Sequence, residues 1–341
     1  MWNGTKGAIV DREYPNQEIN PSSAAILTGH DREITCLWIL AELGIVLSSS
    51  EQSLVLQHTL NGDQKKQYVL LPGGAGFIGS HCVIELITVG YTPIVVDNEC
   101  NSSAECLKRV EQITGCQIID YKIDSLDLEN LRNIFKKYSI YATLNCATLK
   151  AVDESCMEEF NVKNFLFSSS ATVYGTPKYL PLDEKHPCIG DAITNPYDTI
   201  IAQSEWNIIL LRYFNPVGAH KTGLIGENPI GKPNNLMSYI AQVAVGRLPY
   251  VSIFGTDYDT PDGTSVRDYI HVVHVAIGHI AAMKQFEMNC GLKIYNLGTG
   301  KECSRRAGNL ATVYADPTLA AQELGWTAQR NLDEMCERRK S

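Results

Sequence analysis

A chain of 341 residues, 44% hydrophobic and 20% charged, has ample material for one large α/β domain or two smaller ones. Its formal net charge of −9 argues against a nucleic-acid surface, which needs clustered Lys and Arg; the dense basic groups are the tail CERRKS and the pair Arg305–Arg306. Eleven cysteines, with no Cys-x-x-Cys pair, fit reduced thiols in the cytosol better than a disulfide framework.

The opening stretch MWNGTKGAIVDREYPNQEIN carries charges and no apolar run, so it does not read as a secretory signal. TCLWILAELGIVLSSS contains Glu42 and falls short of a membrane span. A soluble, cytoplasmic protein is expected. Within residues 1–66, EITCLWIL, GIVLSSS and LVLQHTL are short β-prone runs separated by polar or turn-like residues, after the pair Gly29–His30. This segment resembles one blade of a WD-repeat propeller of the kind found in neurobeachin-like BEACH proteins. A lone blade cannot bury its own faces, so 1–66 is expected to be a β-rich extension rather than an independent domain, with docking to a propeller-containing partner as one use.

From Gln67 the pattern changes. YVLL, PIVVD, QIIDYKI, ATLNCA and NFLFSSS have the length and apolarity of buried parallel strands. Helix-compatible segments lie between the first four, at about 77–90, 102–114 and 126–138. Repeated β-α units predict a Rossmann-type, doubly wound parallel sheet. Further on, NIILLRYF, YVSIF, VRDYIHV and KIYNLGTG suggest more strands, with loops long enough to build a smaller C-terminal lobe. The expected division is 67–200 for a dinucleotide-binding domain and 201–341 for an interleaved substrate lobe.

YVLLPGGAGFIGSHCVIELI sets Gly73, Gly76 and Gly79 between a strand and a helix whose N-terminus can receive a pyrophosphate. The second strand ends at Asp97, 18 residues beyond Gly79, where a carboxylate can bond an adenosine ribose. An acid here favours NAD over NADP. Pro72 stands where the strand delivers the chain into the loop and lacks an N–H, which weakens the cradle without abolishing it.

The blocks GGAGFIGSHCVIELITVGYTPIVVDNECNSSAECLKRV, FSSSATVYGTPKYLPLDEKHPC, LLRYFNPVGAH, PNNLM and VRDYIHV resemble the UDP-glucose 4-epimerase family of extended short-chain dehydrogenases/reductases, from about Gln67 to Glu337. That resemblance implies tightly bound NAD, UDP-glucose and UDP-galactose as substrates, a 4-keto intermediate, a role in galactose metabolism and a homodimer. It makes Tyr197 the base, with Ser170 bonded to the same sugar oxygen. Phe77 and Ile78 fall inside the glycine turn; Asp97, Asn98, Asn101 and Ser102 would hold the adenosine end, with Asp124 near the adenine. Lys150 and Tyr213 would line the cofactor pocket, and Asn215, Asn235, Arg267 and Arg306 would contact the UDP-sugar. His271, His274 and His279 read as packing or surface residues, with no metal expected.

The chain departs from the family in places. The family's Tyr-x-x-x-Lys pattern reads YDTII here, with Ile201 in the lysine position and no lysine before Lys221. The segments after LKAVDESC, after Tyr197 and within LGTGKECSRRAGN are shorter than the family's. A non-catalytic NAD or nucleotide-sugar binder therefore stands beside the enzyme as an alternative.

Overall fold

The computed structural model describes residues 34–40, 45–50 and 53–59, then 67–147, 153–190, 206–231, 233, 235–251, 266–301, 303–304, 312–330 and 335. The chain divides into two units, Met1–Lys66 and Gln67–Ser341. In the first, β1 (Ile34–Leu40), β2 (Ile45–Ser50) and β3 (Ser53–Thr59) form an antiparallel meander in the order β1-β2-β3. These strands coincide with the three β-prone runs.

The second unit is built on seven strands that all pair in parallel: β4 (Tyr68–Pro72), β5 (Thr92–Asp97), β6 (Ile119–Lys122), β7 (Ile140–Asn145), β8 (Asn164–Ser170), β9 (Asn207–Tyr213) and, later in the chain, β13 (Leu292–Leu297). Their order is β13-β9-β8-β7-β4-β5-β6. The chain runs from β4 outward to β6, then returns to β7 on the other side of β4. Such a reversal opens a crevice at the C-terminal ends of the two inner strands. Between β9 and β13 lie β10 (Asn215–Val217), β11 (Val266–Arg267) and β12 (Tyr269–His271), so VRDYIHV forms two short strands rather than one. Tyr250 and Val251 are not in a strand, and the rest of YVSIF lies outside the described residues.

Burial explains the sequence pattern. In β4, Val69, Leu70 and Leu71 are fully buried because the strand has a neighbour on each side and helices on each face. QIIDYKI, read above as a buried strand, is instead the exposed edge: β6 alternates half-buried Ile119 and Tyr121 with exposed Asp120 and Lys122. An edge strand has one partner and one covered face, which an alternating sequence satisfies.

The helices are α1 (Phe77–Thr88), α2 (Ala104–Thr114), α3 (Leu128–Lys137), α4 (Asp153–Glu159), α5 (Leu236–Ala244), α6 (Val272–Met283) and α7 (Thr318–Leu324). Their ends follow local chemistry. Ser103 accepts from Glu105 N at the start of α2, and left-handed Gly115 closes it. Asp127 caps α3, while Lys136 and Lys137 in its last turn complement the helix dipole. One core joins the sheet to α1, α2 and α6 through Cys82, Leu86, Leu107, Val275 and Ile280. A second core, on other sheet residues, is covered by α3 and α4 through Leu131, Phe135, Cys156 and Met157. The short β7-to-β8 crossover thus closes with a seven-residue helix, pinned to α3 by an Arg132–Glu159 ion pair at 2.7 Å. Among the described residues no helix is long and apolar enough to cross a membrane.

Candidate active site

The glycine turn is shaped by close backbone approach. Gly73 has φ +77°, and a Cβ there would lie 2.8 Å from Cys146 C and Ala147 N. Gly79 sits one helical turn in, where a Cβ would come 2.2 Å from the Gly73 carbonyl oxygen. Only glycine lets α1 descend this tightly onto the turn. Gly76 starts α1 with no side-chain cap, so protein side chains leave the first-turn amides open to an anion. Phe77 and Ile78 form the helix's first turn, and the Phe77 carbonyl accepts from Ser80 Oγ and bonds His81 Nδ1. Pro72 does no harm: it ends β4, its carbonyl accepts from Cys146 N at 2.9 Å, and Gly73 N continues the ladder to the Val96 carbonyl at 2.8 Å.

Asp97 ties this turn to the loop after β5. Ala75 N donates to its Oδ2 (3.0 Å), while Glu99 N and Ser102 Oγ donate to Oδ1 (2.9 and 2.8 Å). Asn98 Nδ2 donates to Asp124 Oδ2 at 2.9 Å, and this bond, with that from Leu126 N, holds the Asp124 carboxyl below the usual carboxylate range. Four of the residues assigned to the adenosine end thus form two bonded pairs, Asp97 with Ser102 and Asn98 with Asp124. Asn101 lies in the same loop.

Ser170 ends β8 directly beside Tyr213 at the end of β9, and its Oγ accepts from Thr172 N. Burial pushes the Tyr213 hydroxyl up to about 12, against a hydrogen bond with Ser168. Tyr174, just beyond Ser170, is also pushed up to about 12 by burial; it donates to Asn296 Oδ1 (2.6 Å) and accepts from Arg212. Both tyrosines stay protonated at neutral pH and neither is a base there. Tyr197, Ile201, Lys150 and Arg306 lie outside the described residues.

Of the residues assigned to the sugar end, Asn215 Nδ2 donates to the Asp268 carbonyl (2.9 Å) and Arg267 donates to the Val266 carbonyl (2.7 Å). Asn235 starts α5 and donates to Glu227 Oε1 (3.0 Å). Sequence reasoning missed Asp268. Its buried carboxylate accepts from Thr299 N and Oγ1, Gly300 N and Ala315 N, which locks the loop after β13 against the segment that carries Arg267. Burial raises its carboxyl, and the bonds from Thr299, Ala315 and Gly300 hold it down. The signal was available: an acid inside the apolar block VRDYIHV must find donors when buried. His271 and His274 face one another at 5.9 Å between ring centres, whereas His279 lies elsewhere on α6, against Ser168.

Comparison with known proteins decides the family. Residues 154–298 match the family model described as NAD dependent epimerase/dehydratase family, and residues 70–160 match one described as GDP-mannose 4,6 dehydratase. The human UDP-glucose 4-epimerase is 47% identical over 329 residues, covering 79% of this chain and 94% of the human protein. The chain belongs to the UDP-glucose 4-epimerase family. Solved structures agree: the enzyme from Stenotrophomonas maltophila, with bound NAD and formylated UDP-arabinopyranose, superposes at TM-score 0.75 with 37% identity, covering 80% of this chain and 96% of that one. The Bifidobacterium longum enzyme, in complex with NAD+ and UDP, gives 0.73 with 43% identity, covering 80% and 97%. The human match spans 329 positions but 79% of 341 residues, about 270, so about sixty positions of that relative face gaps in this epimerase-family chain.

Proposed function

We propose that this chain is an NAD-dependent UDP-glucose 4-epimerase that interconverts UDP-galactose and UDP-glucose in the cytoplasm, as a homodimer serving galactose metabolism. The observation that carries the proposal is the glycine turn at the sheet's reversal point, bonded to Asp97, in a chain 47% identical to an enzyme of that name. The residues fit the cofactor. A Cβ at Gly73 or Gly79 would fill the cradle, and the open amides at the start of α1 suit a pyrophosphate. Asp97 accepts three bonds from the protein, and an ionised carboxylate has about four acceptor positions, which leaves one for a ribose hydroxyl.

NAD, held by the turn of Gly73, Gly76 and Gly79 and by Asp97, would supply the hydride acceptor and donor for C4 of the sugar. The protein's part is acid–base and positional. Tyr197 removes and restores the O4 proton, and Ser170 donates a hydrogen bond to the same oxygen. Tyr213, kept protonated by burial beside Ser170, supports the cofactor side of the pocket. Asn215, Asn235, Arg267 and Arg306 hold the UDP-sugar, the arginines through its diphosphate.

The test is NAD release from the denatured protein followed by a UDP-galactose conversion assay. About one NAD per chain and turnover that Tyr197→Phe reduces more than about 100-fold are expected. Turnover untouched by that change refutes the mechanism. Ile201 in the lysine position favours a second reading, a binder without catalysis; retained NAD with no conversion selects it.

A further inference from the structure

We propose that Cys82, Cys146 and His279 form a binding site for a thiophilic d10 cation, zinc above all, beneath the glycine turn. The proposal stands on geometry and donor chemistry and does not depend on the epimerase reading. Cys82 is on α1, Cys146 follows β7 and His279 is on α6, so three separate elements converge on one point. The two Sγ atoms and a ring nitrogen of His279 lie within 4.8 Å of one another. In a tetrahedral zinc site, with bonds of about 2.0–2.3 Å, such donors stand roughly 3.5–3.8 Å apart. The observed separation closes to that value with movements of about 1 Å or less.

The imidazole is already oriented as a ligand. His279 Nδ1 faces the Val275 carbonyl at 2.8 Å, and a carbonyl only accepts, so the proton is on Nδ1 and Nε2 keeps its lone pair. A metal-bound histidine commonly has its second nitrogen fixed to a carbonyl in this way. Nε2 at present accepts from Ser168 Oγ at 3.0 Å; a metal would take the Nε2 lone pair, and the Ser168 hydroxyl, keeping its proton and turning away from Nε2, would come in as a neutral fourth donor. Charge balance suits the apolar surroundings. Two thiol protons leave to solvent as two thiolates bind the dication, and the neutral imidazole adds no charge, so the loaded site is neutral. Half-buried Cys146 is the point of entry.

Reduced, metal-stripped protein titrated with Co2+ should develop thiolate-to-cobalt charge-transfer absorption that saturates at about one ion per chain. Cys82→Ser and Cys146→Ser should each weaken that binding by more than about tenfold. In the unmutated protein, Zn2+ should slow alkylation of Cys146 and leave exposed Cys100 and Cys116 unchanged, a readout that does not depend on either variant folding. Absence of the band, its persistence in either folded variant, or alkylation of Cys146 unaffected by zinc overturns the site.

Discussion

The base role proposed for Tyr197 requires it to lose its own proton first, yet a free tyrosine with a pKa near 10 is ionised in about one molecule per thousand at pH 7. Burial keeps Tyr174 and Tyr213 near 12, so the sheet ends offer no ready substitute. Where the family pattern has a lysine, this chain has Ile201, and a cation there is the ordinary means of lowering such a pKa. Ile201→Lys should therefore raise kcat for UDP-galactose at pH 7 by about tenfold, the effect of one pKa unit. The acid limb of the kcat profile should move down by the same unit. A pH–rate series on both proteins checks this, and superimposable profiles would show that position 201 does not address the base.

The strand-turn-helix made by β4, the glycine turn and α1 makes a sharper demand than any one side chain. A methyl at Gly79 would lie 2.2 Å from the Gly73 carbonyl oxygen, which is backbone and cannot swing away. Gly79→Ala should destabilise the fold by about 1–3 kcal/mol and strip NAD from the purified protein. Gly115→Ala, at the left-handed end of α2 but in open space, should cost about 1 kcal/mol and leave NAD in place. Urea unfolding and nucleotide release separate the two, and equal NAD retention would contradict the cradle. Elements governed by local pattern were legible in advance: the apolar runs of β4, β5, β7, β8 and β9, and the helices α1 to α3 between them. Features decided by distant partners were not. QIIDYKI is apolar enough for an interior strand and becomes an edge only because nothing pairs beyond it among the described residues. Asp268 gains its importance from Thr299, Gly300 and Ala315, which are brought near by the fold rather than by spacing.

For the molecule as a whole, buried titratable groups set how stability responds to acid. Burial lowers His81 and His279 to about 4, the former against a hydrogen bond to the Phe77 carbonyl and the latter against one to the Val275 carbonyl. Their unfolded value is near 6.5, so the unfolded chain takes up two more protons than the native one between these limits. Their contribution is complete above pH 6.5 and is lost as pH falls toward 4. Half-buried Glu85, raised to about 7 by burial against Lys221, acts with the opposite sign: its contribution is present below its unfolded value and fades as pH rises through 7. Glu184 and Asp268, also raised by burial, subtract at the acid end of the window. Above the range in which Glu184 and Asp268 titrate, the two histidines outweigh Glu85 among the described residues, so unfolding free energy should climb as pH rises toward 6. Replacing His279 with Gln removes one of the two and should lower that slope. Urea titrations at half-unit pH steps measure both. A flat profile in the unmutated protein would mean that the histidines do not stay neutral in the folded state, and a slope unchanged by His279→Gln would place its origin elsewhere in the chain.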